Sequence, residues 1–214
     1  MTAKEISVLY SKSHNMVLKP LLNAVGNIKI PSSIAIFNMC SATDCPSKAL
    51  GLCAAEKFGV KCYAKKAEFS YHPDVLPFRR RQEALWKSIT AEEFALQFLM
   101  IQANKIKPFV ALRLNESGDF SGQADIEKAE KIARILKKEK IVSYCYTSRK
   151  DLNFSKVRDL VISGSGFKKE GIKNVFQIVK SKKDMLKGYG LCVGSCAICN
   201  RCQKSGMKTA VLAH

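Results

Sequence analysis

The chain has 214 residues, 47% of them apolar and 25% charged, enough for one domain with a sizeable core and unlike a disordered composition. No apolar run reaches the roughly 18 residues needed to cross a bilayer, and no apolar signal core follows the first residues, so a cytoplasmic location without membrane contact is expected. Thirty-six Lys and Arg against 18 Asp and Glu give a formal charge of +18, which favours polyanionic partners such as nucleic acid; lysines spread over helix faces can equally be a solvated surface.

Residues 28–31 read as the end of a strand or a lead-in loop. Residues 33–39 are β-branched and compact, a buried strand that delivers the chain to Cys40. Cys40, Cys45, Cys53 and Cys62 then follow with four, seven and eight residues between them. Such wide, uneven gaps suit a loop wrapped around an iron–sulfur cube better than a zinc ribbon. Separate core thiols are the alternative.

Helical character holds over 64–69, breaks at 71–73 and resumes over 78–86, where Phe78, Leu85 and Trp86 lie near one side. The adjacent Arg79, Arg80 and Arg81 either grip phosphates or form a solvated face. Residues 91–103 form a second amphipathic helix, with Thr90 as N-cap and Glu93 completing a capping box.

The clearest strand, 108–114, empties into the polar loop 115–120 before a helix over 124–138; the strand 140–149 repeats the scheme. Two such units argue for a parallel sheet, whose functional groups belong at the strands' carboxyl ends. Asn115, Glu116, Asp119, Tyr146, Thr147 and Arg149 fall there. If the chain is an enzyme, Asp119 or Glu116 is the candidate proton-transfer group and Arg149 the anchor for an anionic substrate. Equally, Asp119 can cap the following helix with Arg149 as its counter-ion. Cys145, between two tyrosines, reads as core or as a spare ligand or redox thiol.

Residues 159–166 and 174–179 read as short strands and 207–213 as a closing one; the glycines at 164 and 166 lack the third that a dinucleotide fingerprint requires. The whole is expected to be one α/β domain over 1–214, a partial or closed β/α barrel-like parallel sheet with cysteine-rich metal-binding loops at 40–62 and 192–202. In the latter loop Cys192, Cys196, Cys199 and Cys202 have three, two and two residues between them, close enough to converge on one metal centre. Gly194 and the small Ser195 and Ala197 ease the turn. With eight thiols and no histidine in either set, one or two [4Fe-4S] clusters are expected, with zinc as the alternative.

The thiols up to Cys62-Tyr63-Ala64, the stretch Ser117-Gly118-Asp119-Phe120, Tyr144-Cys145-Tyr146-Thr147 and the four-cysteine loop together resemble the phage gene product 88 family, over roughly residues 35–214. The resemblance implies a phage or prophage origin, hence the host cytoplasm, and brings no defined activity. Cys192, Cys196 and Cys199 are also distantly similar to the signature of radical S-adenosylmethionine (SAM) enzymes. Only twelve residues follow Cys202, and that thiol would close the iron position where SAM binds, so SAM is not expected. Two functions follow: an iron–sulfur protein with a redox partner, of redox or radical type and acting on an anionic or nucleic-acid-related substrate; or a non-enzymatic basic nucleic-acid-binding module with structural metal, using Phe78, Tyr71 or Trp86 on bases.

Overall fold

The computed structural model describes residues 16–213 other than Phe58 and Tyr71. Seven strands form one sheet in the order β1-β2-β3-β4-β5-β7-β6, all parallel: β1 Ile34–Phe37, β2 Ala111–Leu114, β3 Val142–Thr147, β4 Val161–Ser165, β5 Asn174–Val179, β6 Gly190–Leu191 and β7 Lys208–Leu212. Among the described residues six α-helices precede residue 139. They are α1 Pro46–Ala49, α2 Ala54–Lys57, α3 Tyr63–Ser70, α4 Val75–Ser88, α5 Ala91–Ala103 and α6 Gln123–Lys138.

The strands add to the sheet in nearly sequential order. The long crossovers deposit α4, α5 and α6 on the same face. Alternate residues of the strands confirm it: Ala35, Phe37, Leu112, Leu114, Cys145 and Ile162 pack with Trp86 of α4, Phe94 and Phe98 of α5, and Ile132 and Leu136 of α6. Phe94 meets the Phe37 ring edge-on at 5.0 Å. The intervening residues Ile34, Ile36, Ala111, Tyr144 and Val161 form a smaller cluster on the opposite face, where Cys196 and Cys202 cover them in place of a helix.

The α/β class and the parallel sheet match the expectation; closure into a barrel does not. The sheet is open, with β1 and β6 at its two edges. The reason lies in the connections. Helices bridge β1 to β2 and β2 to β3, but none of the described residues beyond 139 forms an α-helix, so the outer ring that would drive closure is half missing. The segment at 207–213 is a strand as expected, but β7 joins β5 rather than β1.

Local signals place the helices. Thr90 accepts from the Glu93 amide at 3.2 Å and the Glu93 carboxylate accepts from the Thr90 amide at 3.0 Å, the expected capping box. In α6 the buried Ile126, Ala129, Ile132, Ala133 and Leu136 recur at helical spacing. No helix among the described residues is long and apolar enough to cross a membrane.

Candidate thiolate site

Three neighbouring strands end together at one edge of the sheet. β1 runs into Cys40, β2 into residues 115–120 and β3 into Ser148 and Arg149. In an open α/β sheet this carboxyl edge is where chain loops converge. Asn115 turns the chain there with φ of 56°, a left-handed conformation that asparagine tolerates, and its Oδ1 accepts the Met39 amide at 3.3 Å.

Asp119 is buried and saturated. Its carboxylate accepts from Ser47 Oγ at 2.6 Å, Thr147 Oγ1 at 2.7 Å, the Ser148 amide at 2.7 Å and the Phe120 amide at 2.8 Å. Burial nevertheless raises its pKa, with those four donors opposing the rise. It ties α1, the end of β3 and its own loop into one unit. The N-cap of α6 is Gly122, not Asp119, and Arg149 pairs instead with Asp151 at 2.8 Å while donating to the Phe120 and Ser121 carbonyls. Glu116, half-buried, accepts from Asn27 Nδ2 at 2.5 Å and lies 3.9 Å from Arg79. All three candidate catalytic side chains are therefore engaged by protein groups at the strand ends.

A second clamp holds the 40–62 loop. Glu68 is buried and accepts the amides of Ala42 at 2.7 Å and Thr43 at 2.9 Å, the Thr43 hydroxyl at 2.8 Å and Arg79 Nη1 at 2.9 Å. Burial disfavours its charge, but these donors outweigh it and hold the carboxyl below its usual range. Arg80 adds a two-pronged pair to Asp44, at 2.8 and 3.1 Å. Two of the three adjacent arginines thus anchor the cysteine loop. Arg81 alone stays near the Phe78 ring. Trp86 is buried and donates to Asp125 at 2.8 Å, away from any base-stacking surface; Tyr71 lies outside the described residues.

The first thiol set hangs from this frame. Cys40 is buried, and its sulfur exchanges two contacts of 3.3 Å with the Asp119 backbone. Cys45 sits at the N-cap of α1, where its carbonyl accepts the Lys48 amide at 3.1 Å and its side chain makes no capping hydrogen bond; burial pushes its pKa up to about 12. The amide of Ala54, next to Cys53, donates to Ser148 Oγ at 3.3 Å, and Tyr63, next to Cys62, donates to the Glu116 carbonyl at 2.7 Å.

The second set lies across the helix-free face. The Cys192 amide donates to Ala210 at 2.7 Å and the Cys196 amide to Lys29 at 2.8 Å, so the loop is pinned at both ends of its crossing. Cys196 feels the charge of Cys192, Cys199 and Cys202, and Cys202 that of Cys192 and Cys199. Burial raises the pKa of both. Arg113 opposes the rise at both, and at Cys202 the neighbouring Tyr146 side chain opposes it too. Arg113 lies 5.2 Å from the centre of the Tyr146 ring and 3.5 Å from the Tyr63 hydroxyl, and its Nε has no hydrogen-bond partner. It stands between the two thiol sets.

Among the described residues no three Cys, His, Asp or Glu side chains are placed closely enough to hold a metal ion as they stand. Cys145 is fully buried in the main apolar core, on the opposite face from Cys196 and Cys202. Sequence reasoning missed Glu68 and Arg113. Glu68 carries no local signal, but an arginine between the buried Leu112 and Leu114 of a strand is one.

A family model described as gene product 88 matches residues 8–176. It extends nearer the start of the chain than the resemblance drawn from motifs, and stops before the 192–202 loop. No curated protein and no solved structure matches the chain, and the distant similarity to radical SAM enzymes finds no support. The match takes in the 40–62 thiols and every residue of both clamps, well over half the chain, and by it the chain belongs to the gene product 88 family.

Proposed function

We propose that the chain binds an iron–sulfur cluster through Cys192, Cys196, Cys199 and Cys202, with Cys40, Cys45, Cys53 and Cys62 as a second ligand set. The observation that carries this reading is Arg113, 5.2 Å from the centre of the Tyr146 ring with an unpartnered Nε, on the sheet face that Cys196 and Cys202 cover. Four thiolates around a cubane leave net negative charge on a half-buried loop. A cation with an unused N–H is what such a charge needs, and it would tune the potential of a bound cluster.

The donor chemistry of the first set supports the same reading. The Asp119 amide points at the Cys40 sulfur, while burial raises the pKa of Cys40 and Cys45 and holds them as protonated thiols. Ligation would release those protons, so binding is coupled to pH and to the order of the loop. A bound cluster supplies one-electron chemistry; the protein's share is to hold the ligands, screen their charge through Arg113 and fix the loops through Glu68 and Asp119. In this reading Asp119 and Arg149 position the site, and the partner is a redox protein.

The test is the visible spectrum and the iron, sulfide and zinc content of protein purified without oxygen. A broad visible band with about four iron and four sulfide per filled site is expected. Colourless protein with about one zinc per four-thiolate site would overturn it in favour of a structural metal.

A further inference from the structure

The helical cover of the sheet stops short. On the face covered by α5 and α6, register places Gly164, Val175 and Lys208 side by side, with Gln177 two residues further along β5. No α-helix among the described residues follows α6 to cover them. A cleft of about 590 Å³ opens there, within the size range of small-molecule sites. Phe167 and Tyr189 give it aromatic walls, and Lys168, Lys173 and Lys208 line it without a carboxylate.

Three ammonium groups in one cleft repel one another. The Lys168 amine is held in place by the carbonyls of Ile172 and Lys173; burial, then the charges of Lys173 and Lys208, lower its pKa. The surroundings offer little relief: residues 168–208 hold ten Lys and Arg against Glu170 and Asp184, and Asp184 is spent capping Ser181. In the same cleft Gln177 Oε1 is buried without a donor. Three cations lacking an anion, aromatic faces and an acceptor lacking a donor ask for one kind of ligand.

We propose that this cleft binds a nucleotide unit, free or within a single strand, with its phosphate among Lys168, Lys173 and Lys208. Its base lies against Tyr189 or Phe167, where stacking tolerates any sequence, and an exocyclic amine answers Gln177. The site is separate from the cysteine loops and independent of what they ligate.

The test uses full-length protein and two probes, fluorescent AMP and a labelled oligo-dA single strand, followed by anisotropy at about 0.1 M salt, a concentration that screens exposed charges beyond about 10 Å. Lys173→Glu with Lys208→Glu is compared with Lys182→Glu plus Lys183→Glu, exposed lysines outside the cleft. At least about tenfold weaker binding is expected for the cleft pair than for the control pair. For the oligonucleotide the salt slope falls by about 1.4, roughly 0.7 for each lost phosphate contact. AMP binding alone identifies a free nucleotide as the ligand, and oligonucleotide binding alone a strand. Failure of both probes to bind, or equal losses in the two pairs, overturns the proposal. Lys208→Gln, at an exposed position, repeats the comparison if the double variant does not fold, and Tyr189→Leu weakens binding at unchanged salt slope.

Discussion

Asp119 and Cys40 are joined twice, the Asp119 amide donating to Cys40 Sγ and the thiol donating to the Asp119 carbonyl, each at 3.3 Å. Gly118 allows this approach. A Cβ there would lie 2.2 Å from Cys40 Sγ and 2.5 Å from its carbonyl oxygen, on a backbone with φ of 75°. Gly118→Ala is expected to cost at least ~3 kcal/mol. Gly51→Ala, also at positive φ but with nothing within 4 Å, is expected to cost only ~1 kcal/mol. Denaturant midpoints of the two variants decide between a packing requirement and a merely conformational one.

The three adjacent arginines are expected to behave differently. Arg79→Leu strands the buried Glu68 carboxylate and is expected to lose ~3–5 kcal/mol, whereas Arg81→Ala should stay within about 0.5 kcal/mol of the parent. Equal, small losses would show that the Arg79 pair does not hold the cysteine loop.

Glu68 also sets an acid limit. Its folded pKa lies below the unfolded value, so its contribution is fully present above the ordinary carboxylate pKa and is lost as pH falls through the depressed one. Glu68→Gln is therefore expected to flatten the stability profile below about pH 5, where the parent begins to lose the contribution of its ionised carboxylate. Parallel acid limbs for parent and variant, in unfolding curves at a series of acid pH values, would show that the Glu68 pKa is not lowered by folding.

Among the thiols, Cys145 is the internal control. Cys145→Ala leaves a small void in the main core and is expected to cost ~1–2 kcal/mol with metal content unchanged. Cys196→Ala and Cys202→Ala are expected to lose the metal of the 192–202 loop, and Arg113→Met to retain less of it. Metal analysis of the four purified variants, alongside their melting curves, separates ligand from core residue.

Much of the scaffold was legible because its signals are local. The β-branched run before Cys40 gave β1, the Thr90 and Glu93 pair gave the start of α5, and the stretch 140–149, an apolar run ending in hydroxyls and an arginine, gave β3. Closure was not legible: strand pattern says nothing of which strands lie at the edges, and β6, two residues long, carries too little pattern to see. The clamps were hidden for a different reason. Glu68 sits in a lysine-rich helix that reads as surface, and its partners at 42, 43 and 79 meet it only after the loop closes. Asp119 was visible as a polar strand-end residue, but its fourfold saturation depends on Ser47 and Thr147, 72 and 28 residues away.

The covering of one sheet face by the 192–202 loop has a consequence for biosynthesis. Ile34, Ile36 and Tyr144 leave the ribosome well before Cys196 and Cys202 can shield them. Until that stretch emerges, one side of an otherwise formed sheet is an adhesive apolar surface, the kind that aggregates or engages chaperones. Chains terminated before residue 192 would then be cleared as defective even though every strand from β1 to β5 is complete.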